Sequence, residues 1–321
     1  MCKSTENRPP DKGDRNPTSE SLATDTSRDS LKHKNLFARI ERYENAKALS
    51  KRNADYISTQ GSLHNRLASN VASCGQSLTF HNYFTIDETR LVSAHFCKKH
   101  LLCPMCARRR AAKLIGTYMV RYMAVIEENP GLKPFFITKT VKNHPSLEKS
   151  FNHIKESERV FSKRRHRKNA NTQSTKIHSG ITSYEVTQNS ETKDWHPHSH
   201  CIALCTDAPD QWELSAEWNR ITGDSYIVDV RPVDEKDLIA GFLELFKYVT
   251  KFHELDAPTT WELSQTLKGK RLISPFGGFR GVQLEPDDYT DEILRESLPY
   301  IQMVYEYIND KYTLTSSEKH A

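Results

Sequence analysis

The sequence predicts an α+β fold: a ferredoxin-like antiparallel sheet preceded by a helical, cysteine-bearing module. Three observations predict it. Residues 134–251 alternate as β-α-β-β-α-β-α with one central hairpin, the order such a sheet requires. Upstream, three of the seven cysteines (Cys97, Cys103, Cys106) fall within ten residues, a density that points to a metal rather than to core packing. No run of about 18 apolar residues occurs, so no membrane span is expected.

Taken in order, residues 1–35 are rich in Ser, Thr, Asp, Lys and Pro and predict a disordered tail. They also lack the apolar core of a secretory signal, so a cytoplasmic protein is expected. Residues 36–60 carry apolar side chains at helical spacing. A long amphipathic helix is predicted over 107–128, closed by Asn129-Pro130-Gly131. PFFITKTVK (134–142) reads as a strand, 146–163 as a helix, 179–188 and 195–204 as a hairpin, 209–220 as a helix and 225–232 as a strand. The last helix of the alternation runs from Gly241 to Lys251, with Asp234 and Glu235 as acidic residues ahead of it. Residues 300–316 predict a hairpin turning at Asn309-Asp310. The expected domains are a tail (1–35), the helical and zinc-binding cysteine module (36–128), a catalytic domain (129–255) and a C-terminal extension with DNA contacts (256–321).

The 321-residue chain has 46 Lys+Arg against 41 Asp+Glu, a formal charge of +5. With a mean hydropathy of -0.70 it reads as a polar, soluble protein. The clustering of charge says more than its sum. Arg108-Arg109-Arg110 and the run Arg164, Arg165, Arg167, Lys168 suit a polyanion, and are candidate DNA contacts.

An odd number of cysteines argues against a disulfide framework. Cys103-Pro-Met-Cys106 lets two thiolates grip one ion from a tight turn, and zinc takes four ligands in a tetrahedron. Cys97 is a third. Cys74 is the most economical fourth, with His95 and His100 as rivals. A second constellation lies in Trp195-His196-Pro197-His198-Ser199-His200. Alternate residues of a strand share a face, so His198 and His200 point the same way, and His196 joins them if the strand starts early enough. Glu185, on the partner strand of the hairpin, falls roughly opposite. Such mixed N/O ligands suit Mn²⁺ or Mg²⁺, with either Glu185 or His196 as the third. Cys201, Cys205 and Tyr184 fall on the other face. On the helix 241–251, Glu244 and Tyr248 are i and i+4 neighbours, with Lys247 and Lys251 on the adjoining stripe. A phenol beside a carboxylate, edged by cations, is able to attack and hold a phosphodiester.

Together these residues resemble the replication initiators of rolling-circle plasmids, the single-tyrosine branch of the HUH endonuclease superfamily. FCKKHLLCPMCARRRA is similar to that family's cysteine module, and FITKTVKN to its first motif. EVT with WHPHSHCIAL resembles its HUH motif and upstream glutamate, and ELFKYVTK its tyrosine motif. Three positions depart from the pattern. Ser199 stands where a bulky apolar residue is usual, Lys139 where an apolar one is common, and His100 where Arg is frequent.

The resemblance implies that Tyr248 cuts single-stranded DNA in a hairpin loop of the plasmid double-strand origin. A 5′-phosphotyrosine and a free 3′-OH result, the latter extended by host polymerase behind a host helicase. Glu244 would be the base for the terminating water, and Lys247 and Lys251 would orient the phosphate. A relaxase or single-strand transposase of the same superfamily shares this chemistry. A non-catalytic zinc-bearing DNA-binding regulator would explain the cysteines but leave the histidines and the Glu244–Tyr248 pair idle.

Overall fold

The computed structural model describes residues 23–166, 172–251, 255–280 and 298–320, with 23–35 and 247–251 as backbone only. Its helices and strands are α1 (Ala23–Thr59), α2 (Asn65–Ala72), β1 (Ser77–Tyr83), β2 (Glu88–Ala94), α3 (Pro104–Glu128), β3 (Lys133–Thr140), α4 (Leu147–Arg164), β4 (Ile177–Gln188), β5 (Trp195–Cys205), α5 (Gln211–Thr222), β6 (Val228–Pro232), α6 (Leu238–Lys251), α7 (Ala257–Leu267), β7 (Ile273–Phe276), β8 (Tyr300–Ile308) and β9 (Lys311–His320). The chain divides into two compact units, Met1–Arg42 and Tyr43–Ala321. In the first, the described part is the N-terminal stretch of α1. The tail expected over residues 1–35 overlaps the start of α1, whose helical backbone begins at Ala23; residues 1–22 lie outside the described residues. All that follows concerns the second unit.

Local chemistry sets the element ends. Ser146 caps α4 by accepting from the Lys149 amide, and Lys163 and Arg164 close its negative end. Asp210 caps α5, which stops at Gly223 in the left-handed region (φ 79°). The Asp237 carboxylate accepts from the Ala240 amide at 3.1 Å and so starts α6. Asn309 and Asp310 both have positive φ (50° and 63°), the backbone of a two-residue hairpin turn, and join β8 to β9 where the sequence predicts.

The strands form two antiparallel sheets. The larger has the order β6-β3-β5-β4-β7. Helices cover both its faces. On one, Ile137, Tyr184, Cys201 and Ala203 pack with Phe151 and Ile154 of α4 and Trp218 of α5. On the other, Phe136, Ile181, Ile202 and Leu204 pack with Tyr118 and Tyr122 of α3 and Phe242, Leu245 and Phe246 of α6. The smaller sheet, β2-β1-β8-β9, is not foreseen by the sequence reading: β1 pairs with β8, so the C-terminal hairpin joins the strands beside the cysteines. Among the described residues no helix is long and apolar enough to cross a membrane.

Candidate functional site

The sulfurs of Cys74, Cys97, Cys103 and Cys106 all lie within 4.8 Å of one another, the one such group of ligand atoms among the described residues. Cys106 Sγ is 3.6 Å from both Cys74 Sγ and Cys97 Sγ. That is far beyond a disulfide bond. It is close to the edge of a tetrahedron built from zinc–sulfur bonds of about 2.3 Å, roughly 3.8 Å. Three local features bring the sulfurs together. Pro104 occupies the first turn of α3, so Cys103 and Cys106 sit at the positive end of that helix. Gly75 takes a left-handed backbone (φ 65°) against Met105, where a Cβ would stand 2.4 Å from the Met105 Cε. Lys98 is also left-handed (φ 59°), turning the chain away after Cys97. Hydrogen bonds from neighbouring thiols, that of Cys106 first, push the Cys103 thiol well below its ordinary range. The Cys74 and Cys97 thiols are held up, chiefly by their hydrogen bonds with Cys103. Four soft donors that can ionise together only beside a cation are what a structural zinc ion takes. His95 and His100, the rival fourth ligands, are not in the group.

The sequence reading misses the support behind this cluster. The buried Lys47 of α1 donates to the carbonyls of Ala72 (2.5 Å) and Cys74 (2.9 Å). Ser50 Oγ lies 3.4 Å from Cys103 Sγ, and Asn53 Nδ2 donates to the Leu102 carbonyl at 2.9 Å. The signal was available: Lys47, Ser50 and Asn53 recur at helical spacing on the same face as Ala46, Ala54 and Ile57.

The histidines lie on the sheet face that α6 covers. Glu185 pairs directly with His198, and Ser183 with His200. His200 Nε2 is 3.0 Å from Glu185 Oε2, both side chains being buried. That is an ordinary hydrogen-bond distance, and the imidazole and carboxylate are the mixed N/O donors that a Mn²⁺- or Mg²⁺-type ion takes. The His198 and His200 rings stack 5.7 Å apart, and the His196 ring meets His198 edge-on at 4.2 Å. His196 therefore shares the face, hydrogen-bonded to Asn143. Burial lowers its pKa, against the opposing charge of Glu185. Thr138 Oγ1 lies 3.1 Å from His200 Nδ1, orienting the ring through its far nitrogen. The sequence reading does not single out Thr138 or Asn143. Cys201 and Tyr184 face away, as expected.

Glu244 is half-exposed on α6, and Arg231 Nη2 reaches its Oε1 at 3.5 Å while Arg231 Nε holds Asp229 at 2.8 Å. Tyr248, Lys247 and Lys251 lie on the last turns of α6; their side chains are outside the described residues. The backbone still places them. Tyr122 packs on Phe242 and Tyr118 on Phe246, so α3 and α6 run antiparallel and α6 ends beside the middle of α3, heading toward its beginning.

Arg108, Arg109 and Arg110 are exposed at that beginning. Arg109 lies over the Phe96 ring at 4.1 Å. With Lys98 and Lys113, Arg109 and Arg110 line a groove of about 660 Å³ against β2. Arg164 is half-buried and Arg165 buried, turned inward rather than lying on an open surface. Arg167 and Lys168 lie outside the described residues.

The family model described as "Replication protein" matches residues 88–302. The chain belongs to this replication protein family, that of rolling-circle plasmid replication initiators. A "Protein rep" of Streptococcus pneumoniae serotype 2 (strain D39 / NCTC 7466) is 30% identical over 272 residues, covering 79% of this chain and 82% of the relative. A "Protein rep" of a Bacillus species is 27% identical over 283 residues, covering 74% and 88%. One of Bacillus amyloliquefaciens is 30% identical over 251 residues, covering 67% and 71%. No solved structure matches the chain. In this replication protein the matched span begins with β2 and ends in β8, so it takes in strands of both sheets.

Proposed function

We propose that this replication protein is a metal-dependent, site-specific nickase and strand transferase acting on the plasmid origin. The ferredoxin-like reading of its larger sheet is supported by the order β6-β3-β5-β4, the fourth, first, third and second strands of the β-α-β-β-α-β core. The observation that carries the reading is that α6, the helix of Tyr248, packs on the sheet face bearing Glu185, His198 and His200.

In this mechanism the Tyr248 oxygen attacks the scissile phosphorus. An O–P bond to Tyr248 forms, the P–O3′ bond breaks, and the departing 3′ oxygen takes up a proton to become the primer hydroxyl. His198 and His200, with Glu185 or His196, hold a Mn²⁺ or Mg²⁺ ion, which when bound withdraws charge from a non-bridging oxygen. Thr138 fixes the His200 ring. Glu244, one turn before Tyr248, is the base for the terminating water, kept in place by Arg231. Lys247 and Lys251 offset phosphate charge. Cys74, Cys97, Cys103 and Cys106 hold zinc, fixing the start of α3 so that Arg108, Arg109 and Arg110 meet origin DNA along the groove against β2. Host helicase and DNA polymerase then act on the exposed strand and its 3′-OH. Membership of the replication family favours this setting over conjugation or transposition.

The test is incubation with single-stranded origin DNA and Mn²⁺ or Mg²⁺. A covalent adduct that survives denaturation, and is lost in Tyr248→Phe, is expected. Nicking by Tyr248→Phe at the wild-type rate would remove Tyr248 as the nucleophile.

A further inference from the structure

The face of the larger sheet turned away from the histidines carries a cavity of about 670 Å³, between α4, β4 and β7. Its size is within the range of pockets that enclose one small ligand. Its floor is Ile137, Phe161 and Ile177, and its lining contains seven Lys or Arg side chains against two Glu. Both glutamates are matched already: Glu156 to Arg159, and Glu158 to Lys139 at 3.0 Å. Among the described residues no ion pair joins Lys155, Lys163, Arg165, Arg271 or Arg280 to a carboxylate.

Three of these cations, Lys155, Arg165 and Arg280, are held in place by the surrounding side chains and backbone. Lys155 Nζ lies 4.0 Å from the Tyr184 ring centre and donates to the Arg271 carbonyl at 3.0 Å. Arg280 Nε donates to the Pro275 carbonyl at 2.7 Å. Arg165 is nine-tenths buried, with its guanidinium 3.8 Å over the Phe276 ring. Its Nη2 donates to Ser162 Oγ at 3.4 Å, while its Nη1 has no hydrogen-bond partner among the described residues. A buried guanidinium donor left unmet is costly to fold around. A stacked, oriented guanidinium is also the group best shaped to receive a phosphate. Burial correspondingly lowers the pKa of Arg165 and of Lys155, a cost that an anion in the cavity relieves.

We propose that this cavity is a second site of the protein, one that binds a phosphate-bearing nucleotide independently of Tyr248 and the histidine face. The apolar floor offers the base or sugar a dry surface, and the unmatched cations take the phosphates. A free nucleoside triphosphate and one or two residues of a DNA strand present the same chemistry, so the experiment separates them.

The probes are fluorescently labelled ATP and a labelled 12-residue oligothymidine without origin sequence, each titrated into the full-length, zinc-loaded protein and read by anisotropy. The variants are the exposed rim pair Arg271→Glu/Arg280→Glu and the buried Arg165→Met. Thermal melting confirms that each is folded; if Arg165→Met is not, the rim pair decides alone. A loss of at least threefold in affinity for ATP in the rim pair assigns the cavity to free nucleotides. The same loss for the oligonucleotide assigns it to a strand. Losses under threefold for both probes, or no binding of either by the wild type, overturn the proposal. Adduct formation at the origin plays no part in the readout, so failure here leaves the nickase reading standing, and the reverse.

Discussion

Lys139 and Ser199 are direct cross-strand partners on β3 and β5, and both bond the same carboxylate oxygen of Glu158. In the sequence these are two separate departures from the family pattern. In the structure they are a single arrangement, fully buried behind the histidine strand. The Lys139 ammonium also sits 3.9 Å from the Phe161 ring centre, so the charge is matched on two sides.

A prediction follows from that pairing. Glu158→Ala leaves a buried ammonium without its carboxylate and should destabilise the protein by about 3–5 kcal/mol in chemical denaturation. Replacing both charges, Lys139→Met with Glu158→Leu, should restore most of the loss. If the double variant is no more stable than Glu158→Ala alone, the pair is not what makes the single change costly.

The cysteine cluster predicts one tightly held Zn²⁺ per chain by metal analysis of purified protein. Cys103→Ser should lose it and melt at a markedly lower temperature, because binding of structural zinc is itself folding free energy. Protein that is metal-free yet melts like the wild type would leave the four cysteines as ordinary core residues.

Glu244→Ala should still form the first Tyr248 adduct but stall or mis-terminate. Arg231→Ala, which removes the 3.5 Å contact to Glu244 without touching the histidines, should reproduce that defect more mildly. Measuring adduct formation and product release separately distinguishes the two steps. Equal termination by Glu244→Ala and wild type would exclude it as the base.

Burial, reinforced by the charge of Arg110, lowers the His100 pKa from 6.5 to about 4. Above pH 6.5 the ring is neutral in folded and unfolded chains alike. Between 6.5 and about 4 only the unfolded chain takes up the proton, so stability is lost as the pH falls through that window. With excess zinc present, the melting temperature of the wild type should fall more steeply from pH 6.5 to 4.5 than that of His100→Gln. Parallel curves would show that His100 does not carry the effect.

The larger sheet is legible in the sequence because each of its segments declares its own period. The hairpin places Glu185 opposite His198, as its loop length implies. What is not legible depends on partners far apart in the chain. β2 is half-buried along most of its length, with no alternation to read, and β1 finds β8 only across the whole length of the larger sheet's sequence, Ser77 lying opposite Glu306. Lys139 likewise reads as an interruption of a strand, because its carboxylate comes from α4 and its hydroxyl neighbour from β5. Thr138 becomes visible as a neighbour of His200 only once β3 and β5 are paired, and Arg231 as a neighbour of Glu244 only once α6 lies beside β6.

The antiparallel seating of α6 on α3 amounts to a short ruler. Each turn forward on α6 is a turn backward on α3, from Tyr122–Phe242 to Tyr118–Phe246, which puts Tyr248 level with about residue 116. From there to Arg110 is about six residues, or roughly 9 Å of axial rise, the span of about three nucleotides at 3.4 Å each. An origin gripped by Arg108–Arg110 and cut by Tyr248 would therefore have its clamped phosphates within a few nucleotides of the broken bond.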